Sequence, residues 1–279
     1  MSQLLKDRIS DERILVAPGV YDGLSATLAA RAGFEAVYMT GYGTAAVHGY
    51  PDLGLLTLTE MVRTAGGIVS TVDVPVIADA DTGYGDARNV ARTVREYERA
   101  GVAALHLEDQ DWPKKCGHMA DKRLVSTGEM ADKIKAAVDS RTRDDLLIIA
   151  RTDAIGVEGF DAAIERAQAY AEAGADVLFV EAPEDRNQVE AIPKRIPERP
   201  HLISLAPRTP SLSVSELEKL GYRIAIYPGI CLVAAITAGL EQLHHLQQTG
   251  EQQNLKEWSE RFDEFNEMLA RTKDIVLND

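Results

Sequence analysis

Residues 75–108, PVIADADTGYGDARNVARTVREYERAGVAALHLE, contain the unit whose repetition decides the fold. A short apolar run at 75–78 leads into a polar loop, and an amphipathic stretch follows at 87–100. After Gly101, a second apolar run occupies 104–107. Short apolar runs that alternate with stretches of helical period are typical of βα units in a parallel sheet. This segment therefore predicts a strand, a helix and the next strand of one sheet.

The same alternation continues along almost the whole chain. The predicted strands are 14–17, 36–39, 75–78, 104–107, 146–150, 177–180, 202–204 and 223–226. The predicted helices include 24–32, 59–72, 87–100, 128–140, 160–173 and 214–220, several of them followed by a glycine as a C-cap. Eight such units, with no glycine-rich phosphate fingerprint in the first, predict an α/β fold: a (β/α)8 TIM barrel that forms a single domain over residues 1–279.

The C-terminal part of the chain predicts a helical extension of this barrel. Residues 251–279 are polar, with Trp258, Phe262, Phe265 and Met268 spaced by three to four residues. This spacing places the apolar side chains on one face of a helix, which needs a surface to cover. We therefore expect the helices of residues 229–279 to pack on the barrel or on a neighbouring subunit.

The charge balance excludes several classes of partner. The chain has 44 Asp and Glu against 30 Lys and Arg, a net charge of −14 and a pI near 4.9, so neither nucleic acid nor a membrane is an expected partner. The apolar stretch 224–240 is interrupted by Pro228 and Gly229 and is too short to span a bilayer. It predicts a buried strand followed by a buried helix. Two cysteines and no N-terminal signal pattern favour a cytoplasmic location.

Acidic side chains follow two neighbouring predicted strands. Asp79 and Asp81 come after the third strand and Glu108 after the fourth, at the barrel end where catalytic residues lie. Such carboxylates repel one another unless a cation or shared protons compensate them, and oxygen ligands with few histidines favour Mg²⁺ or Mn²⁺ over Zn²⁺. The alternative is that these aspartates only cap helices and turns, because 82–86 is a loop.

A long loop after the fourth strand carries Lys114, Cys116 and His118 in the sequence KKCGH. Cationic neighbours lower the pKa of a thiol, so Cys116 could serve as a reactive acid or nucleophile. A connection of this length in a compact barrel is often a gate. The alternative is an exposed basic loop with an incidental thiol.

Arg151 follows the fifth predicted strand and could hold a carboxylate through two parallel hydrogen bonds. It could equally be paired with Asp153 or Glu181 for structural reasons. The remaining histidines, His106 among them, show no metal-ligand spacing and are interpreted as ordinary core or surface residues.

Three segments together resemble the isocitrate lyase/phosphoenolpyruvate mutase superfamily: 79–85 (DADTGYG), 107–110 (LEDQ) and 114–118 (KKCGH). Residues 151–154 (RTDA) and 158–167 are similar to its 2-methylisocitrate lyase branch, close to 2,3-dimethylmalate lyase, and the resemblance covers roughly residues 10–245. It implies a (β/α)8 barrel whose eighth helix is exchanged between subunits, a homotetramer built as a dimer of dimers, and an active-site Mg²⁺, with Mn²⁺ as a substitute.

The resemblance also implies residue roles, carried over position by position. Asp79, Asp81 and Glu108 match the metal shell, directly or through water. The matching substrate-binding residues are Thr40, Gly41, Tyr42, Asp52, Gly117, His118 and Arg151. The matching catalytic residues are Cys116, Lys114, His118, Tyr38 and Glu181. The implied activity is a carbon–carbon lyase that cleaves a 2-hydroxy di- or tricarboxylate to pyruvate or glyoxylate plus a second acid. Cys116 would protonate the carbanion, and Tyr38 is a candidate proton relay.

Two departures from the family pattern bear on the substrate. Residues 204–210 read SLAPRTP, where related lyases have an Asn and then a Glu before Thr-Pro, so contacts to a third carboxylate are in doubt unless Arg208 supplies one. Tyr42 replaces a small residue, which favours a smaller diacid such as 2,3-dimethylmalate, citramalate or oxaloacetate. The alternatives are an oxaloacetate hydrolase or decarboxylase, a phosphonopyruvate C–P enzyme on the same fold, and a barrel that binds dicarboxylates without turnover.

Overall fold

The computed structural model describes residues 2–271, in which eight parallel strands close into a barrel in the order of the sequence. The strands are β1 (Leu15–Val20), β2 (Val37–Met39), β3 (Val76–Asp79), β4 (Ala104–Glu108), β5 (Leu147–Thr152), β6 (Val177–Val180), β7 (His201–Ser204) and β8 (Tyr222–Tyr227). The barrel closes where β8 pairs with β1, with Leu15 opposite Ile224. The predicted (β/α)8 fold is confirmed.

Helices follow the strands and surround the barrel. They are α1 (Ser2–Ser10), α2 (Gly23–Arg31), α3 (Gly41–Val47), α4 (Leu58–Val69), α5 (Ala87–Ala100), α6 (Thr127–Ser140), α7 (Ile155–Glu158), α8 (Phe160–Glu172), α9 (Arg186–Arg195), α10 (Val214–Leu220), α11 (Ile230–Thr249) and α12 (Leu255–Arg271). Gly101 and Gly221 end α5 and α10 in the left-handed conformation, as the sequence predicted.

The helices α1 and α9 were not predicted. Leu5 and Ile9 of α1 pack with the side chains that fill the barrel interior, so this short helix covers part of that core. The helix α9 buries only Val189 and Ile192 and contains Pro193, and therefore has a weak helical pattern.

Strand alternation decides which side chains reach the centre of the barrel. In β4, Leu105 and Leu107 pack outward in the core between barrel and helices, whereas Ala104 packs in the barrel interior. Since side chains two residues apart point to the same face, His106 and Glu108 point inward with Ala104.

The predicted burial of the helix after β8 is wrong for the single chain. Among the 20 residues of α11, only Leu232 is buried. Its exposed apolar side chains are Ile230, Val233, Ile236, Leu240, Leu243 and Leu246, each 45–63% exposed. The chain's own barrel does not cover this helix.

The helix α12 packs on the barrel only near its end. The Arg31 guanidinium of α2 donates to the Met268 carbonyl at 3.3 Å, and Ala270 is buried. Trp258 and Phe262 remain exposed. Residues 272–279 of the predicted extension lie outside the described residues. Within residues 2–271, no helix combines the length and the apolar character needed to cross a bilayer.

Candidate active site

A cavity of about 610 Å³ opens at the carboxyl end of the barrel. Most predicted site residues line it: Tyr38, Thr40, Tyr42, Asp52, Asp79, Lys114, Cys116, Gly117, His118, Arg151 and Glu181. The other three, Gly41, Asp81 and Glu108, are buried behind this lining and contact Asp79, Lys114 and Arg151 respectively.

Asp79 is the carboxylate at the end of β3. Its Oδ2 accepts from the backbone N–H of Gly41 at 3.1 Å and lies 3.4 Å from the Tyr38 hydroxyl, while its Oδ1 accepts from the N–H of Asp81 at 3.0 Å. Burial raises the pKa of Asp79, but His106 and Lys114 outweigh that effect and the pKa falls to about 2. Asp79 is therefore an anion at neutral pH.

The turn that follows β2 is shaped by the same carboxylate. A Cβ on Gly41 would lie 2.4 Å from Asp79 Oδ2, so only glycine permits this approach. Thr40 caps α3 by accepting from the Gly43 N–H at 3.3 Å. The resemblance implied that Thr40, Gly41 and Tyr42 of this turn bind the substrate. In this arrangement the Gly41 N–H is directed at Asp79 instead, and Tyr42 stands half-exposed at the cavity rim.

A buried lysine neutralises two of the acidic groups. Lys114 Nζ lies 2.5 Å from Asp52 Oδ1 and 2.7 Å from Asp81 Oδ1. Burial raises the pKa of Asp81 to about 6 despite this cation. Asp81 also adopts a φ of +46°, which is uncommon for residues other than glycine, although aspartate adopts it more often than most. The predicted repulsion between carboxylates is thus partly compensated by the chain's own cations.

Glu108 is the last residue of β4, and its buried carboxylate has one oxygen without a hydrogen-bond partner among the described residues. Its Oε2 lies 3.4 Å from Arg151 Nε, and its Oε1 has no hydrogen-bond partner among the described residues. Burial raises the pKa of Glu108 well above its usual range. A buried carboxylate oxygen without a partner is costly, and a bound cation would remove that cost.

The donor set fits a hydrated Mg²⁺ better than a closed metal cage. Within residues 2–271, no three acidic, histidine or cysteine side chains converge as metal ligands. Mg²⁺ commonly keeps several waters and binds through one or two carboxylates. The oxygen-only character of Asp79, Asp81 and Glu108, and the free Oε1 of Glu108, suit such an ion.

Burial raises the pKa of the Cys116 thiol, and the backbone N–H of His118 only partly offsets this. The prediction that the flanking lysines lower this pKa is wrong. The reason is where their ammonium groups lie: Lys114 is ion-paired with aspartates, and Lys115 donates to the carbonyls of Ala120 and Asp121. The thiol therefore keeps its proton at neutral pH, which suits an acid rather than a nucleophile.

Arg151 is held tightly by its neighbours. It binds Asp153 through two hydrogen bonds of 2.8 and 3.1 Å, and its Nη2 lies 3.4 Å from Glu181 Oε2. The guanidinium also lies 5.1 Å from the centre of the Phe179 ring. Arg151 is therefore paired with Asp153 and Glu181, which was one of the two alternatives from the sequence. Arg151 also lines the cavity, so the second alternative, binding of a substrate carboxylate, stays open.

His118 and Gly117 bring the cysteine loop against this group. His118 Nε2 lies 3.4 Å from Glu181 Oε1. A Cβ on Gly117 would lie 2.3 Å from Arg151 Nη2, so the loop backbone is seated directly on the guanidinium. The loop therefore forms one wall of the cavity in this structure.

Sequence reasoning missed His106, which is fully buried beneath the cavity. Its Nε2 lies 2.8 Å from the Tyr38 hydroxyl, and burial lowers the pKa of His106 to about 4. His106 lies inside β4, whereas the predicted site residues mostly follow the ends of strands. The sequence did contain one indication of this position: His106 lies two residues before Glu108, and residues two apart in a strand point to the same face.

The cavity wall on the side of β7 and β8 is mostly apolar. It is formed by Phe179, Leu205, Ala206, Pro207, Ile226, Tyr227, Pro228, Ile230 and Val233. Arg208 is exposed and is not part of the lining, so it does not replace the missing polar residues of that loop.

Comparison with known proteins places this site in context. A family model described as phosphoenolpyruvate phosphomutase matches residues 5–247. A 2,3-dimethylmalate lyase from Eubacterium barkeri is 48% identical over 272 residues, which cover 96% of this chain and 94% of the relative. A 2-methylisocitrate lyase from Aeropyrum pernix is 45% identical over 254 residues, which cover 90% of this chain and 82% of the relative.

Solved structures match over nearly the whole chain. An oxaloacetate acetylhydrolase in complex with 3,3-difluorooxalacetate superposes with a TM-score of 0.92 at 37% identity, covering 98% of this chain and 95% of the other. A phosphonopyruvate hydrolase in complex with oxalate and Mg²⁺ gives a TM-score of 0.85 at 29% identity, covering 97% of this chain and 98% of the other. The matched region includes every element that lines the cavity.

Proposed function

Because the chain belongs to the phosphoenolpyruvate mutase/isocitrate lyase superfamily, we propose that it is a Mg²⁺-dependent carbon–carbon lyase that acts on a 2-hydroxy dicarboxylate. The observation that carries the proposal is the position of the Cys116 thiol. It keeps its proton and lines the same cavity as Tyr38 and Arg151. A proton donor placed opposite a proton acceptor suits cleavage of a bond between two carbons, which leaves a carbanion on one of them.

The wall of the cavity supports an alkyl-substituted dicarboxylate. The basic side chains in the lining are Lys114, Arg151 and the imidazole of His118, and Lys114 is already paired with two aspartates. The wall formed by β7, β8 and the segments after them offers mainly carbon atoms, with the hydroxyls of Ser204 and Tyr227 as its side-chain polar groups and no cationic side chain. A third carboxylate buried there would lose its hydration without gaining an ionic partner. Methyl groups would instead gain apolar contact. We therefore favour 2,3-dimethylmalate over 2-methylisocitrate.

A divalent cation bound near Asp79, Asp81 and Glu108 would polarise the 2-hydroxyl and its carboxylate. Arg151 and His118 hold the other carboxylate of the substrate. Tyr38 and Cys116 both line the cavity, and we expect the reacting carbons to bind between them. This placement makes the reaction effectively unimolecular.

Two of the chain's residues move the protons. Tyr38 Oη takes the proton of the 2-hydroxyl as it passes its own to Nε2 of His106, 2.8 Å away. Asp79 Oδ1 lies 3.5 Å from that nitrogen, and its negative charge stabilises the imidazolium against the cost of burial. The bond between C2 and C3 breaks, C2 becomes the carbonyl carbon of pyruvate, and the electron pair remains on C3. Cys116 Sγ donates its proton to C3, which completes propionate when the substrate is 2,3-dimethylmalate. The loop that carries Cys116 lines the cavity, and we expect it to limit the access of water while the carbanion exists.

We further propose that α11 is exchanged between copies of the chain in a homotetramer. The support is its row of exposed apolar side chains, among them Leu240 and Leu243 at 51% and 63% exposure. A helix of 20 residues with a single buried side chain has little to hold it in place unless a partner covers it.

The test is ¹H and ³¹P NMR of the protein with Mg²⁺ and, in separate tubes, 2,3-dimethylmalate, 2-methylisocitrate, citramalate, oxaloacetate and phosphonopyruvate. We expect 2,3-dimethylmalate to be consumed with equal amounts of pyruvate and propionate formed. Each reaction is repeated with EDTA and with the Cys116→Ser variant.

Other outcomes identify the competing functions. An oxaloacetate acetylhydrolase is among the similar solved structures, and Tyr42 narrows the cavity rim. If oxaloacetate alone is consumed, the protein is a hydrolase of oxaloacetate and the proposed lyase function is wrong. Consumption of phosphonopyruvate alone would indicate C–P chemistry. Metal-dependent binding of these acids without any product would indicate a binding protein.

A further inference from the structure

The loop between β4 and α6, residues 109–126, has a base that is fixed by backbone hydrogen bonds. The Asp111 N–H donates to the Arg123 carbonyl at 2.8 Å, and the Val125 N–H donates to the Asp109 carbonyl at 2.9 Å. These bonds leave the tip of the loop, residues 112–122, to be positioned by other contacts. Cys116 lies at the centre of that tip.

One side of the tip is anchored by groups already described. Lys114 is paired with Asp52 and Asp81, and the Cys116 N–H donates to the Asp52 carbonyl at 3.0 Å. These contacts hold the segment before the thiol. They do not hold the segment after it, which includes Gly117 and His118.

The other side is anchored by Lys122, a residue that no step of the mechanism uses. Its side chain is only 4% exposed. Its Nζ donates to the Gly117 carbonyl at 2.5 Å and to Asp153 Oδ1 at 2.9 Å. One ammonium therefore bridges the backbone beside the thiol and the carboxylate that holds Arg151.

The position of Asp153 is itself rigid. Its N–H donates to the buried Asp109 at 2.9 Å, and its carboxylate binds Arg151 through two hydrogen bonds. A charge-assisted hydrogen bond from Lys122 to this carboxylate is stronger than a neutral one. Lys122 thus ties the segment after the thiol to a fixed point of the barrel, in addition to the 3.4 Å contact between His118 Nε2 and Glu181 Oε1.

We propose that Lys122 is a positioning residue that latches the loop tip onto the Arg151–Asp153 pair and thereby sets the distance between the Cys116 thiol and the substrate site. This proposal deepens the proposed lyase function, because the latch matters for catalysis only if Cys116 is the acid. The latch itself needs no substrate, since the bonds that form it lie within the chain.

Removing the ammonium should release the loop tip. The Lys122→Met variant keeps the apolar stem of the side chain, leaves the Gly117 carbonyl without a donor and removes one cation from Asp153. Open forms of the loop then become more populated, and the thiol becomes more accessible to solvent.

The experiment measures alkylation of each cysteine by iodoacetamide, followed by peptide mass spectrometry, without substrate. Cys231 is free and partly buried at the start of α11, and serves as the internal reference for general loosening. For Lys122→Met we expect alkylation of Cys116 to accelerate about tenfold, the size of effect expected when one hydrogen bond to a charged group is lost, while the rate at Cys231 stays unchanged.

The matched control is Lys115→Met. Lys115 lies on the same loop, and its ammonium contacts only exposed carbonyls of that loop, so the Cys116 rate should stay within about twofold of the wild type. Lys122→Arg keeps a cation at the latch and should restore most of the protection. It also keeps the test decisive if the methionine variant folds poorly.

Two results would overturn the latch: an unchanged Cys116 rate in Lys122→Met, or equal acceleration at both cysteines. If an acid is turned over, Lys122→Met should lower kcat more than it raises KM, because the acid rather than the binding groups is displaced. If no acid is turned over, the proposed function fails, and alkylation still decides whether the latch exists.

Discussion

The hydroxyl of Tyr38 lies 2.8 Å from Nε2 of His106, and both side chains are buried at the base of the cavity. Their rings stack at a centroid distance of 5.7 Å. The two residues are 68 positions apart in the sequence, on β2 and β4, and meet because both side chains point into the barrel. This pair connects the cavity to a buried acceptor and makes Tyr38 the best-placed relay for a substrate hydroxyl proton.

We expect Tyr38→Phe to lower kcat about 10²- to 10³-fold, because general acid–base catalysis contributes about that much. KM should change little, since the carboxylate-binding groups remain. Steady-state kinetics on the substrate identified by NMR measure both parameters. The variant should also lose about 1–3 kcal/mol of stability through the unpaired His106, which urea unfolding checks. An unchanged kcat would remove Tyr38 from the relay.

Cys116→Ser should lose turnover while keeping substrate affinity, because a hydroxyl is a far weaker acid than a thiol. The pH profile gives an independent check. Cys116 must be protonated to act, and burial raises its pKa from the ordinary value of 9.0, so activity that depends on this group should fall only above pH 9.0. If the serine variant turns over at the wild-type rate, Cys116 is not the essential acid.

Removal of divalent cations with EDTA should abolish activity, and added Mg²⁺ should restore it. Glu108→Gln should raise the Mg²⁺ concentration needed for half-maximal activity about 10- to 100-fold, since the amide offers a neutral ligand in place of a carboxylate. Titration of activity against Mg²⁺ compares the two proteins. Full activity after exhaustive chelation would exclude a metal role for this carboxylate.

The exposed face of α11 predicts self-association. Sedimentation at micromolar concentration should give a mass of several times 30.4 kDa for the wild type. Leu243→Glu should shift the protein toward smaller species, because it places a charge among side chains that a partner must bury. Ala238→Glu, which adds the same charge at an exposed position on the other side of the same helix, is the matched control. A wild type that sediments only as a 30.4 kDa species would defeat the exchange of α11.

The sequence by itself determined the barrel fold and which end of the barrel holds the candidate active-site residues. Alternation of short apolar runs with amphipathic stretches is a local property, and it predicted all eight strands and their order. Because parallel strands share a carboxyl end, Asp79 and Glu108 could be assigned to one mouth from their positions alone. Helices with weak local patterns, α1 and α9, were missed for the same reason.

Only the tertiary structure decided which charged side chains form ion pairs and which polar groups are buried from solvent. Lys114 could have faced the thiol two residues away, but its ammonium lies beside Asp52, 62 positions away. A long side chain selects its partner by distance in space, which a linear pattern does not contain. The raised pKa of Cys116, the buried Tyr38–His106 pair and the mostly apolar wall of the cavity likewise depend on burial, and burial is set by how distant segments pack together.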